Sequence, residues 1–384
     1  MKICYLAEIN NVHTRRWIQY FTDLGHEILV LSDNLPVETI PSIKIIKPEM
    51  NLFTKILAFK IHPKPYGNYS FKWIPYRKEA YQFKPDIVHA MDALGYGLTM
   101  ALCGNFPKIL TPWGNDIYYD PFHSKIAGFH VRKALKAATI ISTNHPTLSD
   151  YLNETFQIPK HKIKCFSWGI DLKIFNPHKR KEALEMREYL KIPFNVPVVM
   201  SNRSLAEYWG SREIFTAIPL ILKESPKTHF IVIRGSGKEE FYKELISFLE
   251  RQGADKNVRI INEKIAPKKM AALLNLSDIF ISVPYTDLLS ISVLEGLACG
   301  GIPVVSDLAA YKTRIVEGQN GFYVPVKNAK SIADKVLHII ENISMRDKIQ
   351  EKNWRIIREN DDWEKCAPKM ISIYEQAIKN HKST

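Results

Sequence analysis

The chain has 384 residues, 46% hydrophobic and 24% charged, the proportions of an ordinary globular protein. That length exceeds what one ordinary core organises, so two domains are expected. Its 53 basic and 40 acidic residues leave a net charge of +13, which suits a polyanionic partner: nucleic acid, an anionic membrane or a phosphorylated substrate.

Residues 2–7 read as a strand, and the polar turn that follows them argues against a signal peptide. Residues 12–24 read as an amphipathic helix ended by Gly25, and residues 27–32 as the next strand. Then comes "NLFTKILAFKIHPKPYGNYSFKWIPYRK", residues 51–78. It interleaves Lys55, Lys60, Lys64, Lys72, Arg77 and Lys78 with Phe53, Phe59, Tyr66, Tyr69, Phe71, Trp73 and Tyr76. Such a strip suits an anionic lipid interface, where each basic residue contributes about 1 kcal/mol. It also resembles a single-stranded nucleic-acid surface, and its plain alternative is a loop and helix packed on the first domain. Residues 86–90, 108–111 and 139–143 are further short strands between helical stretches. The pattern pauses over residues 175–196 with "NPHKR", a charged helix and two prolines. A second strand series follows at 198–201, 229–234, 258–261, 278–283 and 302–306.

Strand–helix alternation of this kind predicts parallel, doubly wound sheets. Two Rossmann-like domains are expected, residues 1–178 and 190–360, facing a central cleft. Two helices are predicted after the last strand, at 344–359 and 363–380, the latter packing back on the first domain. Cys4, Cys103, Cys165, Cys299 and Cys366 are far apart and odd in number, against a disulfide framework or a zinc site and in favour of a reducing compartment. No run approaches the roughly 18 apolar residues of a spanning helix.

Ligands of open parallel sheets bind outside the carboxyl ends of the strands, so residues just after strands carry the chemistry. In "TDLLSISVLEGLACGGIPVVSD", Asp287 lies in the loop after a strand and Glu295 on the helix predicted from about Ser290. A buried carboxylate costs several kcal/mol unless it is paired or hydrogen-bonded. Two explanations stand open: Ser292-x-x-Glu295 is a capping box, or the acids await a ligand beside helix amides suited to an anion. Arg203, in "VVMSNRSLAEYWG", follows a strand and suits a planar phosphate contact, or a surface ion pair. Gly235 and Gly237 in "FIVIRGSGKEE" make a phosphate loop or a tight turn. Trp113 and Asp116 in "TPWGNDIYYDP" and His13 in "NNVHTRRW" follow first-domain strands, with core packing and a helix start as their plain readings. The chain contains no Asp-x-Asp, HExxH, GxxxxGK[ST] or GxSxG. A diphosphate would therefore be met by Arg, Lys and helix amides, and no metal or cofactor is expected.

These segments resemble the retaining glycosyltransferases of family 4 (glycosyl transferases group 1), which have the two-domain GT-B fold. The resemblance spans nearly the whole chain through "GHEILVLSD", "DIVHAMD", "TPWGNDI", "SWGIDLKIF", the Arg203 segment, the Asp287–Glu295 run and "GQNGFYV". The family's Glu-x7-Glu pair stands here as Asp287-x7-Glu295. The resemblance implies that Glu295 binds the ribose hydroxyls, that Asp287 contacts the donor sugar, and that Arg203 holds the diphosphate. It places Leu289, Ser290 and Ile291 against sugar and diphosphate, Gly235 near the donor, and the base beside Lys264 and Ile265. His13, Trp113 and Asp116 fall on the acceptor side. The family's lysine five or six residues after the arginine is replaced by Tyr208 and Trp209, leaving the second positive charge to Lys264 or Arg234. Leu288 stands where the family often has glycine, and Trp113 where it often has histidine.

The expected activity is metal-independent, retaining transfer of a sugar from a nucleotide sugar to a glycan or lipid-linked acceptor. The expected location is the cytoplasm, with the basic strip on the inner face of the membrane; nucleic acid is not an expected partner. The rivals are an epimerase or hydrolase of nucleotide sugars on the same fold, and a non-catalytic nucleic-acid or membrane binding protein. A binding module has no need of a carboxylate pair at a strand-end helix.

Overall fold

The computed structural model describes residues 1–38, 40–61, 70–235 and 237–382, without the side chains of 57–61. The chain forms two compact units: Met1–Ser167 with the segment from Ala367, and Trp168–Cys366.

The first unit holds seven strands: β1 (Lys2–Leu6), β2 (Glu27–Leu31), β3 (Lys44–Ile46), β4 (Ile87–Ala90), β5 (Lys108–Leu110), β6 (Ile140–Thr143) and β7 (Ile163–Cys165). Their order is β3-β2-β1-β4-β5-β6-β7, all parallel. β1 is central, with Ile3 opposite Ile28 on one side and Ile87 on the other. β4 and β6 are buried throughout, as strands covered by helices on both faces must be. The helix Val12–Asp23 starts where the Asn11 side chain accepts from the His13 and Thr14 amides, and it buries Trp17, Ile18 and Phe21.

The helix Pro368–Lys382 belongs to this unit. Tyr374 stacks on Phe21, ring centroids 4.9 Å apart. Its hydroxyl bonds to Tyr5 Oη at 2.9 Å and His89 Nδ1 at 2.6 Å, and His89 Nε2 meets Thr111 Oγ1 at 2.7 Å. Burial pushes the His89 imidazole down to about 3. The unfolded chain therefore binds a proton below about pH 6.5 that the folded chain refuses, so this group's contribution to stability falls as pH falls from there toward 3. His89→Gln keeps a polar group and removes the titration. Urea denaturation of both proteins at pH 7.5 and 5.5 should show their stability gap shrinking by about 1.4 kcal/mol at the lower pH. A constant gap would mean that His89 is charged in the folded protein.

The second unit holds β8 (Val198–Ser204), β9 (His229–Ile233), β10 (Val258–Ile261), β11 (Ile279–Ser282), β12 (Ile302–Ser306) and β13 (Phe322–Val324), in the order β10-β9-β8-β11-β12-β13, again all parallel. β8 runs three residues beyond its expected end at 201, and its register against β9 shifts between Ser201 and Ser204. That irregularity spans Asn202 and Arg203, where a bulge re-aims side chains at a strand end.

Three expectations need correction. The first unit ends at Ser167, not at residue 178, because Ile170 bridges to Asp362 and Phe175 sits in the second unit's core. Gly169, at φ +70°, allows this approach: a Cβ there would lie 2.8 Å from Trp363 Cα. The helix expected over 363–380 is two helices, Trp363–Cys366 and Pro368–Lys382, separated where Pro368 cannot continue the first. In the basic strip, Lys72 is buried: its Nζ lies 2.8 Å from Asp33 Oδ2 and 3.8 Å from the Tyr96 ring centroid. Tyr76 also turns inward, donating to Asp33 Oδ1 at 2.6 Å. Leu52, Phe53, Lys55, Ile56, Ile74, Arg77 and Lys78 are exposed. Lys60, Lys64, Phe59, Tyr66 and Tyr69 lie outside the described side chains.

Candidate active site

In the second unit, the end of β8, the loop after β11 and the helix Ile291–Cys299 converge. Asn202 Nδ2 donates to the Ser292 carbonyl at 2.7 Å, tying the strand end to the helix. Gly210, at φ +72°, lets the chain after β8 lie against the backbone of Val283, where a Cβ would collide. Tyr285 N–H donates to the Tyr208 carbonyl at 3.0 Å, which fixes the two loops together.

Arg203 and Asp287 form an ion pair within that frame, their side chains 13% and 12% exposed. The Tyr311 hydroxyl donates to Asp287 Oδ2 at 2.7 Å, and the Leu288 amide to Oδ1 at 2.9 Å. The Trp209 ring lies under the guanidinium, 3.5 Å from Cζ to centroid. Tyr311 and Trp209 complete the Arg203–Asp287 cluster, and no sequence motif marks Tyr311 as part of it. Trp209 was visible only as a missing lysine.

The helix starts at Ile291 with Ser290 as N-cap, and no side chain caps it. Ser292 is already helical, and its Oγ meets Ser290 Oγ at 2.7 Å. The capping-box reading of Ser292 and Glu295 therefore fails, since the cap lies two residues earlier. Glu295 is half-buried on this helix. The next residue, Gly296, brings the helix onto β11: a Cβ there would lie 2.6 Å from Phe280 Cε1. Leu289 and Ser290 are buried at the helix start, and Ile291 is half-buried.

Gly235, at φ +60°, presses on Ser204, the neighbour of Arg203, leaving no room for a Cβ. Lys264 is exposed after β10, and Ile265 packs on the core. Of the two candidates for the second positive charge, Arg234 is engaged elsewhere, paired with Glu239 and 4.3 Å from the Tyr242 centroid.

In the first unit, His13, Trp113 and Asp116 are neighbours. The His13 and Trp113 ring centroids are 5.8 Å apart, and Asp116 Oδ1 accepts from the Trp113 and Gly114 amides at 3.0 and 2.8 Å. Asp116 Oδ2 accepts from the Ala93 amide at 2.7 Å, so this carboxyl pins the turn after β4 to the turn after β5. Burial, then the charge of Asp92, pushes Asp116 up to about 7 against those three amides. Burial, then Arg16, pushes His13 down to about 4, so its imidazole is neutral near pH 7. Asp92 closes the segment "DIVHAMD", where its place just after β4 is the sequence signal for it.

The two halves of the chain match family models separately: Glycosyl transferase 4-like over residues 2–145, and Glycosyl transferases group 1 over residues 182–355. The second half of the chain is thus similar to the group 1 glycosyltransferases, and the first half to the 4-like ones. Among curated relatives, the chain is 24% identical to spore coat protein SA of Bacillus subtilis over 242 residues, 60% of this chain and 64% of that protein. It is 26% identical over 219 residues to the N,N'-diacetylbacillosaminyl-diphospho-undecaprenol alpha-1,3-N-acetylgalactosaminyltransferase of Campylobacter jejuni, 56% of this chain and 54% of that enzyme. The matches thus span less than two thirds of these relatives' lengths. Among solved structures, sucrose-phosphate synthase from Thermosynechococcus elongatus superposes with a TM-score of 0.81 at 14% identity, covering 98% of both chains. Anabaena HepE in complex with UDP and glucose superposes with a TM-score of 0.78 at 15% identity, covering 98% of this chain and 99% of that one. The fold is GT-B, two Rossmann-like parallel-sheet domains.

Proposed function

We propose that this protein is a glycosyltransferase that moves a sugar from a nucleotide sugar to a glycan or lipid-linked acceptor, with retention of configuration and without a metal ion. The observation that carries the reading is Arg203 at the end of β8, beside Asp287 and the helix bearing Glu295. A departing diphosphate gathers negative charge, and a preorganised guanidinium stabilises that charge more in the transition state than before it. Glu295 takes the ribose hydroxyls, and Asp287 a hydroxyl of the sugar. The acceptor hydroxyl attacks from the face the diphosphate leaves, and the leaving phosphate takes its proton. Ile265 and the stem of Lys264 flank the base.

The UDP and glucose in HepE support a nucleotide-sugar donor. The diphospho-undecaprenol in the Campylobacter enzyme's name supports a lipid-linked acceptor. Among the described residues no helix is long and apolar enough to cross a membrane. Exposed Leu52, Phe53, Lys55 and Ile56, and exposed Arg77 and Lys78 later in the same strip, support a peripheral seat on an anionic leaflet.

A thermal-shift screen against UDP-, GDP- and ADP-sugars in EDTA tests the donor and the metal together. One donor should stabilise the protein, by about 2.7 kcal/mol at a hundred times its dissociation constant. Turnover of that donor should survive EDTA; loss of turnover with recovery on added magnesium would overturn the metal-free reading. Sedimentation with vesicles rich in phosphatidylglycerol should fall with salt, because exposed attraction is screened within about 8 Å at physiological ionic strength. Lys55, Arg77 and Lys78 changed together to Ser should weaken it and leave donor affinity alone. Undiminished sedimentation would remove the strip from the membrane account.

A further inference from the structure

The reading above sends Arg203 and Asp287 to different ends of one donor, the guanidinium to the diphosphate and the carboxylate to the sugar. In the structure they hold each other. The same oxygen, Asp287 Oδ2, takes both Arg203 Nη1 and the Tyr311 hydroxyl. Trp209 covers one face of the guanidinium, so the planar group keeps its place while its partners in the plane change. Tyr208 and Trp209 stand where the family carries its second cation, so within this cluster the two anions share Arg203.

We infer that Asp287 makes this site select the intact nucleotide sugar over the nucleoside diphosphate, because its charge competes with the diphosphate for Arg203 and only the sugar's hydroxyls compensate it. The inference rests on the nucleotide-sugar reading. A nucleoside diphosphate that takes Arg203 leaves Asp287 largely buried with the Tyr311 hydroxyl and the Leu288 amide, short of its guanidinium. If it takes another edge of the guanidinium, it meets the carboxylate's charge at close range. Breaking a buried pair by removing one partner is costly, because the charge left behind has no full replacement. An intact donor returns hydrogen bonds from the sugar to Asp287. The nucleoside diphosphate formed on transfer lacks those hydroxyls and leaves readily. Trp209 and Tyr311 are positioning residues in this exchange: one fixes the plane of the guanidinium, the other the carboxylate.

Calorimetry with UDP, GDP, UDP-glucose and GDP-mannose tests this on the wild type, Asp287→Asn and Asp287→Ser, with melting curves to confirm folding. Asp287→Asn should bind the preferred nucleoside diphosphate about tenfold more tightly than the wild type, equivalent to about 1.4 kcal/mol. It should bind the matching nucleotide sugar more weakly, so the preference for intact donor collapses. Asp287→Ser should behave alike, which excludes an effect peculiar to the amide. If both variants bind the nucleoside diphosphate no better than the wild type, Asp287 does not compete for Arg203 and the inference alone falls. If the wild type binds none of these four probes and no ADP-sugar of the thermal-shift screen, the nucleotide-sugar reading falls and takes the inference with it.

Discussion

Arg203→Ala should lower donor turnover by about 100- to 1000-fold, the loss typical of one preorganised donor to a developing anion. The expected loss is this large because Tyr208 and Trp209 stand where the family has its lysine and Arg234 is held by Glu239. Turnover is read as release of nucleoside diphosphate from the donor selected by the thermal-shift screen. The substitution also strips Asp287 of its ion pair, so melting curves must accompany the rates. Arg203→Lys should fall between: it keeps the charge and loses the planar stack on Trp209. Near-normal turnover in Arg203→Ala would transfer the leaving-group role to Lys264.

The largest stability effect is expected at Tyr374. Removing its buried ring from Phe21 should cost about 3–5 kcal/mol in Tyr374→Ala. Tyr374→Phe keeps the ring and removes only the hydroxyl shared by Tyr5 and His89, for about 1–3 kcal/mol. Urea denaturation followed by circular dichroism gives both values. Equal losses in the two variants would mean that the hydroxyl, not the ring, fastens the C-terminal helix to the first unit.

The alternation of periods was enough to read two parallel α/β sheets, because strands buried on both faces are continuous apolar runs. β3, β7 and β13 escaped because each has three residues and is partly exposed, whereas β5, equally short, is buried throughout. Asp287 and Glu295 were legible because both lie in one apolar run after a strand, where a charge is out of place. Tyr311 was not, because it reaches Asp287 from the turn after another strand, and a tyrosine there looks like core. The domain boundary was misplaced because the partners of Ile170, at Asp361 and Trp363, are remote in sequence. Lys72 looked like part of an exposed basic strip, and only Asp33, folded beside it, shows that its charge is spent internally.

Hydrogen–deuterium exchange across the whole chain, with and without a saturating nucleotide sugar, tests the central claim most directly. Bound donor should slow exchange in peptides covering residues 203–210 and 286–296, where Arg203, Trp209, Asp287 and Glu295 lie. Unchanged exchange in both segments, with protection confined to residues before 168, would contradict a donor site built on Arg203, Asp287 and Glu295.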